Sequence, residues 1–281
     1  MIVRQIFDFV DSIFVINLKK DLSRKIHVEG EFKQFNIKKF KIVNAVSFND
    51  AIVKEHYKNN GVLLYPPCFR CNESIEEEKY CMHENNFLTP KQVANFLSFK
   101  KIMEEIVESK IDNALIFEDD FKFKKFIKKS DKHLRKFISK NKLFEIQDPL
   151  LVRVGSHTRV NKKYYLKFYL FNNSTFLENN LENMANPCFL INNKFAKHFL
   201  DNFTKITTTS DNFIHRKLCE INSVVNYSLY PFPINQLSYG NKKNKFKSTI
   251  SEDFNSSSSF ENTQKVENEE EYKKLLSKWL S

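Results

Sequence analysis

An α/β architecture, a mostly parallel sheet flanked by helices, is predicted by three observations. First, Ser12-Ile13-Phe14-Val15-Ile16-Asn17-Leu18 reads as a buried strand. A polar turn, a helix through about Phe35 and a second strand at Lys41-Ile42-Val43-Asn44-Ala45-Val46 follow it, the opening of a parallel α/β unit. Second, Thr89-Pro90 starts a helix, since threonine is a good N-cap and proline is favoured at the first helical position. Third, Ala114-Leu115-Ile116-Phe117 is a short apolar run of the kind buried on both faces, and it ends on Glu118-Asp119-Asp120. Unpaired buried charge is costly, so packing does not account for three acids there. Ligands of open α/β sheets sit outside the carboxyl ends of the strands, where these acids fall.

The composition bounds the possibilities. At 281 residues the chain can bury a full core, as one large domain or two small ones. No run of 18 or more apolar residues is present, which excludes a helical membrane span. Met1-Ile2-Val3-Arg4 lacks the basic-then-apolar order of a signal peptide, so a cytoplasmic location is expected. The net charge of +11 favours anionic partners: nucleotides, nucleic acid, phosphorylated glycans or an anionic membrane surface. With four glycines and neither G-x-G-x-x-G nor a Walker sequence, a glycine-rich phosphate loop is excluded. A phosphate site must then use a metal and basic side chains.

Taken in order, Ile26, Phe32 and Phe35 are expected to line the buried side of the first helix, and Asn17 and Arg24 flank a turn that would welcome an anion. Residues 47–86 are polar and irregular, with Cys68, Cys71, Cys81 and His83 clustered in a C-x2-C…C-x-H pattern. These have the ligand types and number of a structural Zn²⁺ site within a cysteine-rich loop insertion (60–86), with His56, or no histidine at all, as the alternatives to His83. Cys188 and Cys219 lie in apolar contexts and read as core thiols. In the helix after Thr89, Val93, Phe96, Leu97, Ile102, Met103, Ile106 and Val107 form the core stripe, with Asn95, Ser98 and Lys100 off it. Residues 121–145 are very rich in lysine and phenylalanine. They read as an amphipathic helix interrupted near Ser130, its basic face solvated or bound to nucleic acid. Further strands are predicted at Leu150–Gly155, 164–171 and Asn226–Pro231, Asn186–Ile191 leads into a helix at Asn193–Phe203, and another helix begins near Asp211. A basic tail runs from Ile234 to Ile250, a serine-rich linker fills 251–268, and 269–281 forms a short amphipathic helix. Docking on the domain of 1–250, on a second subunit or at a membrane surface would each suit that helix.

The carboxylate cluster suits a hard divalent cation, which takes oxygen ligands and clamps phosphate oxygens. Read with Asn17-Leu18 and Arg24, Leu88-Thr89-Pro90, Phe96-Leu97-Ser98, Asn186-Pro187-Cys188, Asp211, Gln236 and Ser248-Thr249-Ile250, it resembles the family-25 glycosyltransferases over roughly residues 12–250. That family includes lipooligosaccharide and collagen hydroxylysine galactosyltransferases. The resemblance implies a GT-A-like (Rossmann-like) fold and inverting transfer of a hexose, galactose or glucose, from a UDP-sugar to a hydroxyl of a glycan or lipid-linked glycan. It implies Mn²⁺ or Mg²⁺ on Asp120 with Asp119, and donor contacts from Asn17, Arg24, Glu118, Asp119 and Gln236. The catalytic candidates it gives are Asp211, as general base, and Asp119. Lys100 departs from the histidine or arginine common in the family, and the cysteine-rich loop is not general in it.

Three readings therefore compete. A metal-dependent hexosyltransferase accounts for the acidic triplet, and its acceptor is either a glycan or a modified nucleic-acid base. A zinc-stabilised nucleic-acid-binding protein accounts for the basic charge and the cysteines and predicts salt-sensitive binding. A transferase fold serving only as an interaction module leaves the intact triplet without a purpose.

Overall fold

The structure, a computed structural model, describes residues 6–65, 87–156, 176–178, 186–220, 224–237 and 269–281. The chain runs β1 (Ser12–Asn17), α1 (Leu22–Gln34), β2 (Lys41–Asn44), α2 (Ala51–Lys58), α3 (Pro90–Glu108) and β3 (Asn113–Glu118). It continues through β4 (Phe121–Phe123), α4 (Ile127–Lys140), β5 (Leu150–Arg153), β6 (Gly155–Ser156), β7 (Phe176–Glu178), β8 (Cys188–Asn192) and α5 (Asn193–Asp201). A helix α6 (210–220), π-helical over Phe213–Lys217, precedes β9 (Val225–Tyr230), β10 (Ile234–Gln236) and α7 (Glu269–Leu280).

Seven strands form the main sheet in the order β2-β1-β3-β8-β5-β9-β7. The sheet is mixed rather than mostly parallel, because β8 runs antiparallel to both β3 and β5, and β7 antiparallel to β9. Only the pairs β1–β2, β1–β3 and β5–β9 are parallel. Even so, β1, β3, β5 and β9 share one direction, so Asn17, Glu118, Arg153 and Tyr230 all reach the same edge. Phe117 pairs with Cys188, which starts the reversed strand β8 at that edge too.

One apolar cluster fills each face of the sheet. On one side α2, α3, α5, α6 and α7 pack through residues such as Phe96, Phe99, Ile102, Phe195, Phe213 and Tyr272. On the other, Val28 and Phe32 of α1, Leu134 and Ile138 of α4 and the rings of Phe117, Phe121 and Phe123 close the core. Phe32 stands 5.4 Å from Phe117 and 5.2 Å from Phe121, centroid to centroid.

Several helices begin where their side chains dictate. Asp21 caps α1 by accepting from the Arg24 amide at 3.1 Å. Thr89 and Gln92 form a reciprocal capping box at the start of α3, with Pro90 in the first turn. Asn192 caps α5, accepting from Phe195 N at 2.9 Å.

Four local expectations change. Ala51–Lys58 is helical, burying Val53 and Tyr57, where the sequence reads as irregular. α4 runs unbroken through Ser130, which is buried. The predicted strand at Leu150–Gly155 divides into β5 and β6 and feeds two different sheets. Gly155 allows that crossing, since a Cβ there would lie 3.0 Å from Pro187 Cγ and 3.1 Å from Cys188 N. Ile26 points outward and is 68% exposed, while Arg24 and His27 take its expected place inside. The cysteine cluster with His83, the strand at 164–171, the tail beyond Leu237 and the serine-rich linker lie outside the described residues. Helix α7 lies on the α3 side of the sheet, with Tyr272 fully buried and its hydroxyl donating to the Leu88 carbonyl at 2.8 Å.

Candidate active site

A small second sheet, β4-β10-β6, stands just beyond the carboxyl edge of the main one. It exists because β3 ends in charged residues that cannot continue the core, and the chain turns at Asp119-Asp120 directly into β4. β10 pairs antiparallel with β4, setting Gln236 opposite Phe121. The Leu237 amide then donates to the Asp120 carbonyl at 2.7 Å, and Gln236 Nε2 donates to Glu118 Oε2 at 2.9 Å. His27 of α1 clamps the other side, its Nε2 lying 2.7 Å from the Phe121 carbonyl oxygen.

Asn17, Arg24 and Gln236, all expected donor residues, therefore converge on the acidic triplet Glu118-Asp119-Asp120. Asp119 is held at both oxygens: Arg24 Nη1 donates to Oδ1 at 2.6 Å and Asn17 Nδ2 donates to Oδ2 at 2.8 Å. Arg24 is itself steadied by Asp21, with Nε 3.2 Å from Oδ2. Burial pushes the Asp119 carboxyl above its ordinary range against the pull of Arg24 and Asn17. Burial alone would lower the Arg24 guanidinium, but Asp119, Asp120 and Asp21 more than reverse it. At 2.6 Å the pair is a charge-assisted hydrogen bond in which Asp119 works as a fixed anchor.

Glu118 is pushed well above the ordinary carboxylate range, first by burial and then by the charges of Asp120, Asp211 and Asp119. Asp211 enters from the start of α6 and belongs to this electrostatic cluster, although the sequence separates it widely from Glu118. A set of crowded carboxylates of this kind is stable only with protons, cations or both. Among the described residues no group of three or more His, Cys, Asp and Glu side chains is arranged to cage a metal ion. Mg²⁺-type ions need no such cage, since one or two carboxylates and substrate phosphates commonly complete their shell. Asp120 is buried, 3% exposed, next to Asp119 in the same turn.

Asp211 is positioned by a buried polar chain that sequence reasoning missed. Asn186 and Asn95 both donate to Ser210 Oγ, at 3.3 and 3.1 Å, fixing the residue before Asp211. His215 Nε2 lies 2.6 Å from Asn186 Oδ1, so that nitrogen carries the proton. The π-helical turn aims this fully buried histidine inward. Arg153, also fully buried, donates to the His215 carbonyl at 2.7 Å and to Asn226 Oδ1 at 3.2 Å. Asn186-Pro187 directly before an apolar strand was the available signal; nothing local marks His215 or Arg153.

Burial, and then the charge of Arg153, lowers His215 well below its ordinary 6.5. The folded protein thus refuses a proton that the unfolded chain accepts, so stability falls as pH drops below about 6.5. The loss deepens as the pH falls further below that value. Thermal melts across about pH 5–8 should show a steeper acid-side slope for wild type than for His215→Gln. Equal slopes would mean that His215 takes up a proton in the native state.

Comparison with known proteins gives this arrangement a family. The sequence profile described as glycosyltransferase family 25 (LPS biosynthesis protein) matches residues 10–214. The chain belongs to glycosyltransferase family 25. The matched stretch contains Asn17, Arg24, the acidic triplet and Asp211, while Gln236 lies beyond it. The family moves a sugar from a donor to a glycan acceptor, so the chain is a glycosyltransferase by membership. No curated protein matches the chain. Among solved structures it is similar to mouse xyloside xylosyltransferase 1 in its apo form, at 10% identity and a TM-score of 0.33. That match covers 76% of this chain and 70% of the other, a likeness too slight to bear on substrate. No helix among the described residues is long and apolar enough to cross a membrane.

Proposed function

We propose that this family-25 glycosyltransferase moves a hexose from a nucleotide sugar, with UDP-galactose or UDP-glucose the first candidates, to a hydroxyl of a glycan. The observation that carries the reading is the convergence of Asp120, Glu118 and Asp211 at one edge, with Asp119 pinned by Asn17 and Arg24. Asp120 would hold Mn²⁺ or Mg²⁺ together with the donor diphosphate. When bound, the cation supplies neutralisation of the charge that develops on the departing diphosphate. Asn17, Arg24 and Asp119 keep the donor side of the edge rigid, and Gln236 orients Glu118. Asp211 is the general base, taking the proton of the acceptor hydroxyl as that oxygen attacks the anomeric carbon. Attack opposite the diphosphate inverts the anomeric configuration.

The test is release of UDP or GDP from UDP- and GDP-hexoses, and of CMP from CMP-sugars, with Mn²⁺ and with EDTA, alongside donor-induced thermal stabilisation. Turnover or stabilisation that needs the metal supports the reading. Their joint absence with every donor would overturn it and bring forward nucleic-acid binding. Replacing the base should separate chemistry from binding. Asp211→Asn is expected to lower kcat about 10²–10⁴-fold while donor-induced stabilisation stays within about twofold of wild type. Unchanged kcat would remove Asp211 from the mechanism.

A further inference from the structure

The first two turns of α1 present a surface that neither the core nor the donor site uses. Among the described residues three large hydrophobics stand exposed, and two of them, Leu22 at 63% and Ile26 at 68%, are one turn apart on this helix. Lys19, Lys20 and Lys25 surround them and are likewise exposed. No ion pair joins these lysines to a described acid. Asp21, the carboxylate within this stretch of chain, is occupied by the Arg24 amide and side chain and by the Ser23 hydroxyl at 2.9 Å. The next exposed acid is Glu29, at the end of the second turn beyond Leu22.

Its place in the fold makes the patch more than a local curiosity. Asn17 and Arg24, the two residues that fix Asp119, bracket Lys19 to Leu22 in sequence, so the patch and the donor edge share one turn of chain. Buried Arg24 and His27 occupy the inner side of the helix, leaving Leu22 and Ile26 on the outer.

We propose that this end of α1 docks on an anionic lipid bilayer, Leu22 and Ile26 entering the headgroup–acyl boundary while Lys19, Lys20 and Lys25 meet lipid phosphates. Two aliphatic side chains on a convex helix end offer far less area than a stable protein interface requires. Single-stranded nucleic acid is commonly held by aromatic stacking, and the patch has no aromatic. Aliphatic residues ringed by lysines are what an interfacial helix end presents to anionic lipid. The orientation sets the donor edge against the membrane, within reach of an acceptor carried on lipid. The docking itself does not rest on the donor chemistry proposed above.

The test is flotation of the full-length protein with phosphatidylcholine vesicles, plain or containing about 30 mol% phosphatidylglycerol. Binding is expected only to the anionic vesicles and should weaken at high salt. Leu22→Ser/Ile26→Ser and Lys19→Gln/Lys20→Gln/Lys25→Gln should each weaken it about tenfold or more. A matched control, Lys128→Gln/Lys132→Gln/Lys136→Gln on the exposed face of α4, should change it less than about threefold. All these side chains are exposed, so melting temperatures should stay close to wild type, and donor-induced stabilisation serves as a check that the site is intact. No binding to anionic vesicles would overturn the proposal. So would binding indifferent to the Leu22/Ile26 pair, or an α4 control as damaging as the α1 variants, which would indicate general basicity. Tighter binding of an oligonucleotide that the same α1 variants abolish would assign the surface to nucleic acid instead.

Discussion

Asp120→Ala is expected to lower metal-dependent donor turnover by at least about 10³-fold, and to do so without unfolding the protein. The reasoning is electrostatic. Both oxygens of Asp119 are committed to Asn17 and Arg24, and Glu118 accepts from Gln236; the function proposed above gives the cation to Asp120. The main chain at Asp120 is held through its carbonyl by Leu237, which the substitution leaves in place. Removing one carboxylate also relieves the crowding that pushes Glu118 upward, so the melting temperature without metal should hold or rise. Stabilisation by Mn²⁺ plus donor should disappear. Nucleoside diphosphate release and melting curves, each with and without Mn²⁺, decide the matter. Turnover that survives the substitution, or a variant that melts well below wild type, would remove Asp120 from the cation site.

The contrast between what can and cannot be read from the chain is physical. The strand entering Glu118-Asp119-Asp120 is legible because a buried apolar run gains nothing in packing by ending on three acids. Thr89-Pro90 is legible because capping is a contact between near neighbours. The direction of β8 is not, since an apolar strand looks the same whichever way it runs, and the mixed sheet follows from tertiary pairing alone. Helix α2 hides because it is short and buries only Val53 and Tyr57. Ile26 misleads because apolarity near a helix start normally signals burial, whereas the interior there is taken by Arg24 reaching for Asp119. At the site, the clustering of Glu118 with Asp120 follows from adjacency. Asp211 follows Ser210, which is held by Asn186 and Asn95 from distant parts of the chain, with His215 bonded to Asn186, and no local pattern connects these residues.

Arg24→Met should be the most damaging single change to stability, costing about 3–5 kcal/mol, because it strands the buried Asp119 charge without its counter-ion. Both side chains are almost wholly inside, at 7% and 10% exposure, so solvent offers little compensation. The loss should show in urea denaturation. It should be largely recovered in Arg24→Met/Asp119→Leu, which replaces the pair by apolar groups and removes the stranded charge altogether. Donor-induced stabilisation, however, should be absent from the double variant as well. Asp119 is the anchor that ties β3 to the start of α1 through Asn17 and Arg24, and an apolar pair restores packing without restoring that fixed polar edge. A double variant that folds and still turns over donor would show that the pair serves the fold alone. One that stays as unstable as Arg24→Met would show that the cost lies in the lost packing of the arginine stem rather than in an uncompensated charge. The expected result, stability regained and donor response lost, assigns the ion pair to both tasks: it closes the sheet edge, and it holds the polar face on which transfer depends.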